Sequence, residues 1–238
     1  MVDGFYVVMP AYNEGRTIAQ VVSRTKSLFP QVSLIVIDDG SSDNTAKEAA
    51  NAGAEIVKLP FNCGYGVALQ AGLLRAYRAG ARLVVTLDAD GQHEPEEIRW
   101  LVEPVINGKA DVVLGSRYLA DSRTYPVRLS RRLASFCMAK LLSIFLGQSF
   151  TDTTTGFQCL GAKALGIISD LDDFPEKAPD ADLLLYLAIH GCQIREVPVR
   201  MHSDSGGDSM HGPLKSLWYL PQMCTSILGV MLEHAFHR

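Results

Sequence analysis

The sequence predicts an α/β fold built on a doubly wound, mostly parallel sheet with flanking helices. Apolar, β-branched runs alternate with segments of helical periodicity through residue 118. The connections between those runs are too long for hairpins, so neighbouring strands are joined by crossovers and run parallel. A chain of 238 residues, 47% hydrophobic and 20% charged, has enough apolar side chains for one substantial core.

Taken in order, FYVVMPA at residues 5–11 is the first strand. Residues 14–29 form a helix with Ile18, Val21 and Val22 at helical spacing. A strand at 33–39, a helix at 42–53 and a strand at 54–60 follow, then a helix at 64–80, a strand at 82–90, a helix at 94–108 and a strand at 111–118. No linker interrupts this alternation. Further on lie an apolar helix within 127–147, a helix at 181–190 and a strand at 193–201. Residues 1–212 read as one domain and 213–238 as a C-terminal amphipathic helix.

A formal net charge of −4 with no basic stripe excludes a general nucleic-acid binder. The five cysteines are widely spaced and lack a C-x-x-C pair, so neither a disulfide framework nor a zinc site is indicated, and a reducing cytoplasm is expected. MVDG leads straight into the first strand without a signal-peptide pattern.

Loops that follow parallel strands gather on one edge of the sheet, where ligands bind. The run RLVVTLDADGQH empties into Asp88 and Asp90, two carboxylates one residue apart, with Gln92 and His93 behind them. Carboxylates this close repel unless a cation lies between them, and oxygen donors suit Mg2+ or Mn2+ with a diphosphate completing the shell. The alternative is a helix cap in a solvated turn. After the first strand, Tyr12 offers a ring to stack on a base, beside Asn13 and Glu14; alternatively Asn13 caps the helix and Tyr12 packs on the sheet. In the next loop Ser42 or Asp43 can cap, leaving Asp39 to accept a ring N–H of uracil or guanine. Gly64 and Gly66 lack the third glycine and the position that a dinucleotide fingerprint requires.

PAYNE (10–14), DDGSSDNT (38–45), NCGYGVALQAG (62–72), LDADGQHEPEE (87–97), GSRY (115–118) and TDTTTGFQ (151–158), in this order and spacing, resemble the family 2 glycosyltransferases of the GT-A fold. Within that family the likeness is nearest to the dolichyl- or polyprenyl-phosphate sugar synthases. The resemblance spans residues 5–210 and implies a nucleotide diphosphate sugar donor, an inverting transfer and Mg2+ or Mn2+. It implies that Pro10, Tyr12 and Glu14 hold the nucleoside, that Asp39 faces the base, and that Asp88, Asp90 and Gln92 gather the metal and diphosphate. Arg117, with Arg131 or Arg132, is implied to contact donor or acceptor phosphates, where a guanidinium fork matches phosphate oxygens.

Two departures stand out. Tyr65 occupies a position where the family often has lysine, and after EVPV the loop carries Asp204 and Asp208 where basic residues are usual, although Gly207 and Ser209 remain. Arg200, His202 and His211 are the available substitutes. An acceptor hydroxyl would need a base, whereas an ionised phosphate needs none. Asp152, Asp180 and Asp182 are the available acids, and each could instead cap a helix or form a turn; Asp152 is the stronger candidate for acceptor-side work, and the choice stays open.

Segments 127–147 and 213–236 have apolar faces with basic and aromatic flanks, the pattern of helices lying in a membrane interface. Lys140, Pro221, Gln222 and Glu233 break them too often for spans. The alternatives are packing on the sheet and homodimerisation through the C-terminal helix. The expected reaction is sugar transfer to a polyprenyl or dolichyl phosphate by an enzyme peripheral to the cytoplasmic face of the membrane. Its rivals are transfer to a glycan or lipid-linked sugar hydroxyl, a nucleotidyltransferase (for which PAYNEGRT is too poor in basic residues), and a silent nucleotide-sugar-binding module.

Overall fold

The structure, a computed structural model, describes residues 3–122, 129–171, 174 and 181–202, apart from the side chains of 129–131 and 134. The elements run β1 (Phe5–Ala11), α1 (Ile18–Leu28), β2 (Ser33–Asp38), α2 (Thr45–Asn51), β3 (Glu55–Lys58), α3 (Tyr65–Arg78), β4 (Leu83–Thr86), α4 (Ile98–Ile106), β5 (Val112–Ser116), α5 (Leu129–Leu146), β6 (Gln158–Gly161), α6 (Ala162–Ser169), α7 (Ala181–Ile189) and β7 (Ile194–Pro198). The described strands form one sheet in the order β3-β2-β1-β4-β6-β5-β7. From β1 the chain winds outward through β2 to β3 and then returns to place β4 on β1's other side, so the winding reverses between β1 and β4. In a doubly wound sheet that reversal opens a crevice at the carboxyl edge.

Alternate residues of β1 feed two cores, as the two-residue strand period requires. Val7 and Met9 join Val36, Val85, Ile18, Val22 and Leu101 on one face. Val8 joins Ile35, Ile37, Leu73, Leu142 and Leu184 on the other. Gly72 lets α3 lie directly on the second face: a Cβ there would sit 2.4 Å from Val8 Cγ1 and 2.5 Å from Ile37 Cδ1. With helices over both faces, polar side chains at the strand ends are left to the rim.

The doubly wound, mostly parallel sheet expected from the alternation is present, with shorter elements. Helix α1 begins at Ile18 rather than near Glu14, and residues 95–97 form a tight 3-10 turn that leads directly into α4. Strand β6 is absent from the sequence reading. It lies antiparallel between β4 and β5, with Gln158 opposite Thr86 and Leu114. Reversed in this way, β6 starts where its neighbours end, so residues 151–157 lead into the carboxyl edge and add a loop to the site.

Among the described residues no helix is long and apolar enough to cross a membrane. Among the described residues Cys63, Cys137, Cys159 and Cys192 are free thiols. The proposed division at 212–213 and the C-terminal helix lie outside the described residues.

Candidate active site

Beyond β1 and β2 the two loops are laced together. Asn13 adopts a left-handed backbone, φ 57°, which asparagine tolerates, and its Oδ1 accepts the Ser42 amide at 2.9 Å. Asn13 is therefore a bridge between loops and not the cap of α1, which begins five residues later. Asp43 accepts from the Thr45 amide and hydroxyl at the start of α2 and from the Gly15 amide at 3.0 Å. Burial alone would raise its pKa, but those hydrogen bonds outweigh it and hold the carboxyl below its ordinary value. Pro10 ends within β1 opposite Ile37, Tyr12 is exposed at the rim, and Glu14 accepts from the Thr17 hydroxyl at 3.1 Å.

Asp39 is buried, and its two oxygens accept the amides of Cys63 and Gly64 at 2.7 and 2.9 Å. It ties the β3–α3 loop to the end of β2. Sequence reading aimed this carboxylate at a base; here its first partners are backbone amides.

Beyond β4 the chain turns through Asp88, Asp90 and Gln92. Asp90 Oδ1 accepts the Gln92 amide and Oδ2 accepts Gln92 Nε2, both at 2.8 Å. With its nitrogen directed at Asp90, the Gln92 side chain keeps its carbonyl oxygen for other partners. Asp88 is half-buried between the Tyr65 hydroxyl, 3.3 Å from Oδ1, and His93 Nε2, 3.5 Å from Oδ2. Where the family often has lysine, this chain thus sets a phenol on the carboxylate. Gly156 lies over the same group: a Cβ there would approach Asp88 Oδ1 and Oδ2 to 3.1 and 3.2 Å, so only glycine leaves this space open.

Asp88, Asp90 and Gln92 fit Mg2+ or Mn2+ in donor chemistry, since they bring two carboxylates and an amide oxygen to one turn. Among the described residues no group of three His, Cys, Asp or Glu forms a closed cage. Mg2+ does not require one, because it is commonly held by one or two carboxylates together with substrate phosphates.

Arg117 and Asp152 meet beyond β5. Asp152 Oδ2 accepts from the Arg117 backbone amide at 3.0 Å and from Nε at 2.7 Å, while Oδ1 accepts from an Arg117 terminal nitrogen at 2.8 Å and from the Ser135 hydroxyl of α5 at 3.3 Å. Arg117 is 5% exposed and Asp152 is fully buried. A two-pronged ion pair sealed in this way aligns two loops, and it leaves Asp152 poorly placed to take a proton from an acceptor. Sequence reading named both residues but not their pairing.

Beneath them is Glu196 of β7, which sequence reading passed over. Its carboxylate accepts the Thr151 amide at 2.8 Å and the Asp152 amide at 2.7 Å. The acidic residue in the EVPV motif was the available signal. Burial pushes the Glu196 carboxyl up, the amide and hydroxyl hydrogen bonds from Asp152 and Thr151 pull it down, and the neighbouring Asp152 charge pushes it further up. Because the folded pKa lies above the unfolded one, the folded state holds a proton that the unfolded state has already lost. Stability from this group is therefore full below the unfolded pKa and falls as pH rises through the folded pKa. Urea unfolding across a pH series is expected to show this: the stability of the native protein relative to Glu196→Gln declines through that window, and a flat difference would contradict the assignment.

Met201 forms a bridge with His93, and the His202 amide donates to the Gln92 carbonyl at 2.9 Å, so the segment after β7 returns to the Asp88–Gln92 turn. His202 also contacts Glu94, and Arg200 lies 3.8 Å from Glu97. Asp182 is buried in the first turn of α7. The Arg131 side chain, Asp180, Asp204, Gly207, Asp208, Ser209 and His211 lie outside what the structure describes.

A mostly parallel sheet with an antiparallel strand beside β4, and with acidic loops gathered at its carboxyl edge, defines a GT-A-type enzyme. The architecture is shared with the glucosyl-3-phosphoglycerate synthase of Mycobacterium tuberculosis, solved with Mn2+, UDP-glucose and phosphoglyceric acid (TM-score 0.67, 22% identity, covering 97% of this chain and 79% of that one). The glycosyl transferase family 2 model matches residues 6–167, and the chain belongs to that family of glycosyltransferases. An undecaprenyl-phosphate mannosyltransferase of Micrococcus luteus is 31% identical over 209 residues, covering 85% of each chain. The polyprenol monophosphomannose synthase of Mycolicibacterium smegmatis is 35% identical over 204 residues, 81% of this chain and 75% of the relative. The family resemblance carried by the six loop motifs is borne out.

Proposed function

We propose that this chain transfers a sugar, with inversion, from a UDP- or GDP-sugar to a polyprenyl phosphate at the cytoplasmic face of a membrane. The observation that carries the choice of acceptor is the sealed Arg117–Asp152 pair. A sugar hydroxyl would need a base within reach, yet the strongest candidate is buried with both oxygens engaged by an arginine. A phosphate oxygen is already ionised and attacks the anomeric carbon directly as the bond to the nucleotide diphosphate breaks. The named relatives from Micrococcus and Mycolicibacterium support the same acceptor class.

Asp88, Asp90 and Gln92 would hold the divalent ion, Mg2+ or Mn2+, which when bound supplies positive charge to the departing diphosphate. Tyr12 at the rim stacks on the base, Pro10 and Glu14 shape its pocket, and Asp39 fixes the loop wall beside it. Arg117 and Asp152 hold residues 115–118 and 151–157 in register, which keeps Gly156 over Asp88. Arg131, at the start of α5, is the remaining candidate for the acceptor phosphate.

Helix α5 supports peripheral attachment. Its inner face packs Met138, Ala139 and Leu142 into the core, whereas Leu133, Phe136, Ile144 and Phe145 are exposed and Lys140 lies 5.8 Å from the Phe136 ring. An apolar face with a cation on a long stem suits the lipid headgroup boundary.

Isothermal titration is expected to show UDP or GDP sugars binding with Mn2+ and releasing on chelation. Incubation of the bound donor with undecaprenyl phosphate is expected to give a glycosyl phosphate labile to mild acid. No binding of UDP, GDP or their sugars would overturn the donor assignment, and an acid-stable glycoside would move the acceptor to a hydroxyl.

A further inference from the structure

We infer that His93 is a positioning residue that aims Asp88 at the metal, acting through an imidazole that carries its proton on Nε2. The inference rests on the metal-binding reading of Asp88 given above, and it adds a residue that none of the site assignments includes.

The geometry is specific on three sides of the ring. The Asp88 backbone amide donates to His93 Nδ1 at 3.2 Å, so Nδ1 must present a lone pair. That leaves the proton on Nε2, which lies 3.5 Å from Asp88 Oδ2. One imidazole therefore touches both the backbone and the carboxylate of the same residue, five positions back, and closes the turn that contains Asp90 and Gln92. The ring is 5% exposed and stacks on Phe157, with centroids 4.8 Å apart and planes 11° from parallel. Phe157 is itself fully buried at the entry to β6, and the His93 backbone bridges to Met201. The residue is thus held by two separate segments, the ring by Phe157 and the backbone by Met201, and its hydrogen bond from the Asp88 amide and its 3.5 Å contact with Oδ2 hold Asp88 in place.

The energetic logic is that of an outer partner to a metal ligand. A carboxylate at a strand end has two free torsions, and hydrogen bonds that fix them before the ion arrives remove that ordering cost from binding. Tyr65 restrains Oδ1 and His93 restrains Oδ2. Histidine suits the second task because its two nitrogens separate acceptor from donor within one rigid plane.

The test compares His93→Phe with the native chain, since phenylalanine retains the stack on Phe157 and lacks both nitrogens. UDP affinity is measured by titration with Mn2+ and again in chelator. The expected result is a loss of about 10-fold to 100-fold in the Mn2+-dependent affinity, the usual effect of removing such a partner, with the affinity in chelator unchanged. Equal affinities in Mn2+ for the two proteins, or equal losses with and without metal, would overturn the proposal. In parallel, 15N spectra of labelled histidine in the native chain are expected to show His93 protonated at Nε2 and bare at Nδ1. A proton on Nδ1 would overturn it even if His93→Phe failed to fold. Failure of the native chain to bind UDP with Mn2+ would instead sink the donor assignment, and the tautomer would still report whether His93 holds Asp88.

Discussion

Asp90→Ala is expected to abolish Mn2+-dependent donor binding and to lower turnover by about 10²- to 10³-fold, while leaving the fold intact. The scale is that of removing one preorganised electrostatic contact to a developing charge, about 2.7–4 kcal/mol. The fold survives because Asp90 stands beyond the last paired residue of β4, and the hydrogen bonds it accepts from Gln92 stay within the same turn. Losing them costs about 1 kcal/mol each. Asp90→Asn separates the two contributions. Its amide oxygen can still accept the Gln92 N–H, so the turn is retained, but the negative charge is gone and metal affinity falls with it. Thermal unfolding alongside titration in Mn2+ and in chelator checks both. An unfolded Asp90→Ala protein, together with a native donor affinity indifferent to metal, would make the carboxylate pair structural.

That experiment probes a part of the site that was legible in advance, for a physical reason. Parallel strands bury both faces and read as continuous apolar runs, so their ends are marked wherever a run meets Asp, Asn or Gly. Val84 and Val85 stopping at Asp88 is such an end, as is Ile37 stopping at Asp38 and Asp39. Because all such ends in a parallel sheet share one edge, the loops could be gathered on paper before any coordinates. Strand β6 carries no such mark. It has four residues, Gln158 to Gly161, and strands that short are recognised by what they pair with. Its direction decides that residues 151–157 join the site, and direction leaves no trace in periodicity.

The roles of individual side chains were less legible than their positions. Asp39 was expected to face a base, yet its oxygens first meet the amides of Cys63 and Gly64, 24 and 25 residues on. From sequence Asn13 is open between a ribose contact and a helix cap, and a left-handed backbone turns its side chain toward Ser42 instead. His93 stood in plain view behind Gln92 and was passed over, since nothing local shows that an imidazole will bond the amide five residues earlier. In each case the missing fact is a contact between distant segments, settled by tertiary packing.

The Arg117–Asp152 pair shows the same limit and carries the largest expected effect on stability. Asp152→Ala leaves the Arg117 guanidinium buried opposite an apolar methyl, and breaking a buried ion pair from one side costs about 3–5 kcal/mol. In a chain of this size that lowers the melting temperature by about 2–4 °C per kcal/mol. Turnover is expected to fall by about 10²-fold as well, because the loop that sets Gly156 above Asp88 loses its anchor and displacements near 1 Å are enough for that loss. The decisive comparison is the double variant Arg117→Met with Asp152→Leu. Replacing both charges by apolar groups removes the stranded guanidinium, so stability is expected to recover in part, short of native because the Arg117 amide and the Ser135 hydroxyl lose the acceptor they had in Asp152. If turnover recovers with it, the pair acts as scaffold for the two loops. Restored stability with turnover still depressed would return Arg117 to the phosphates, where the family resemblance first placed it.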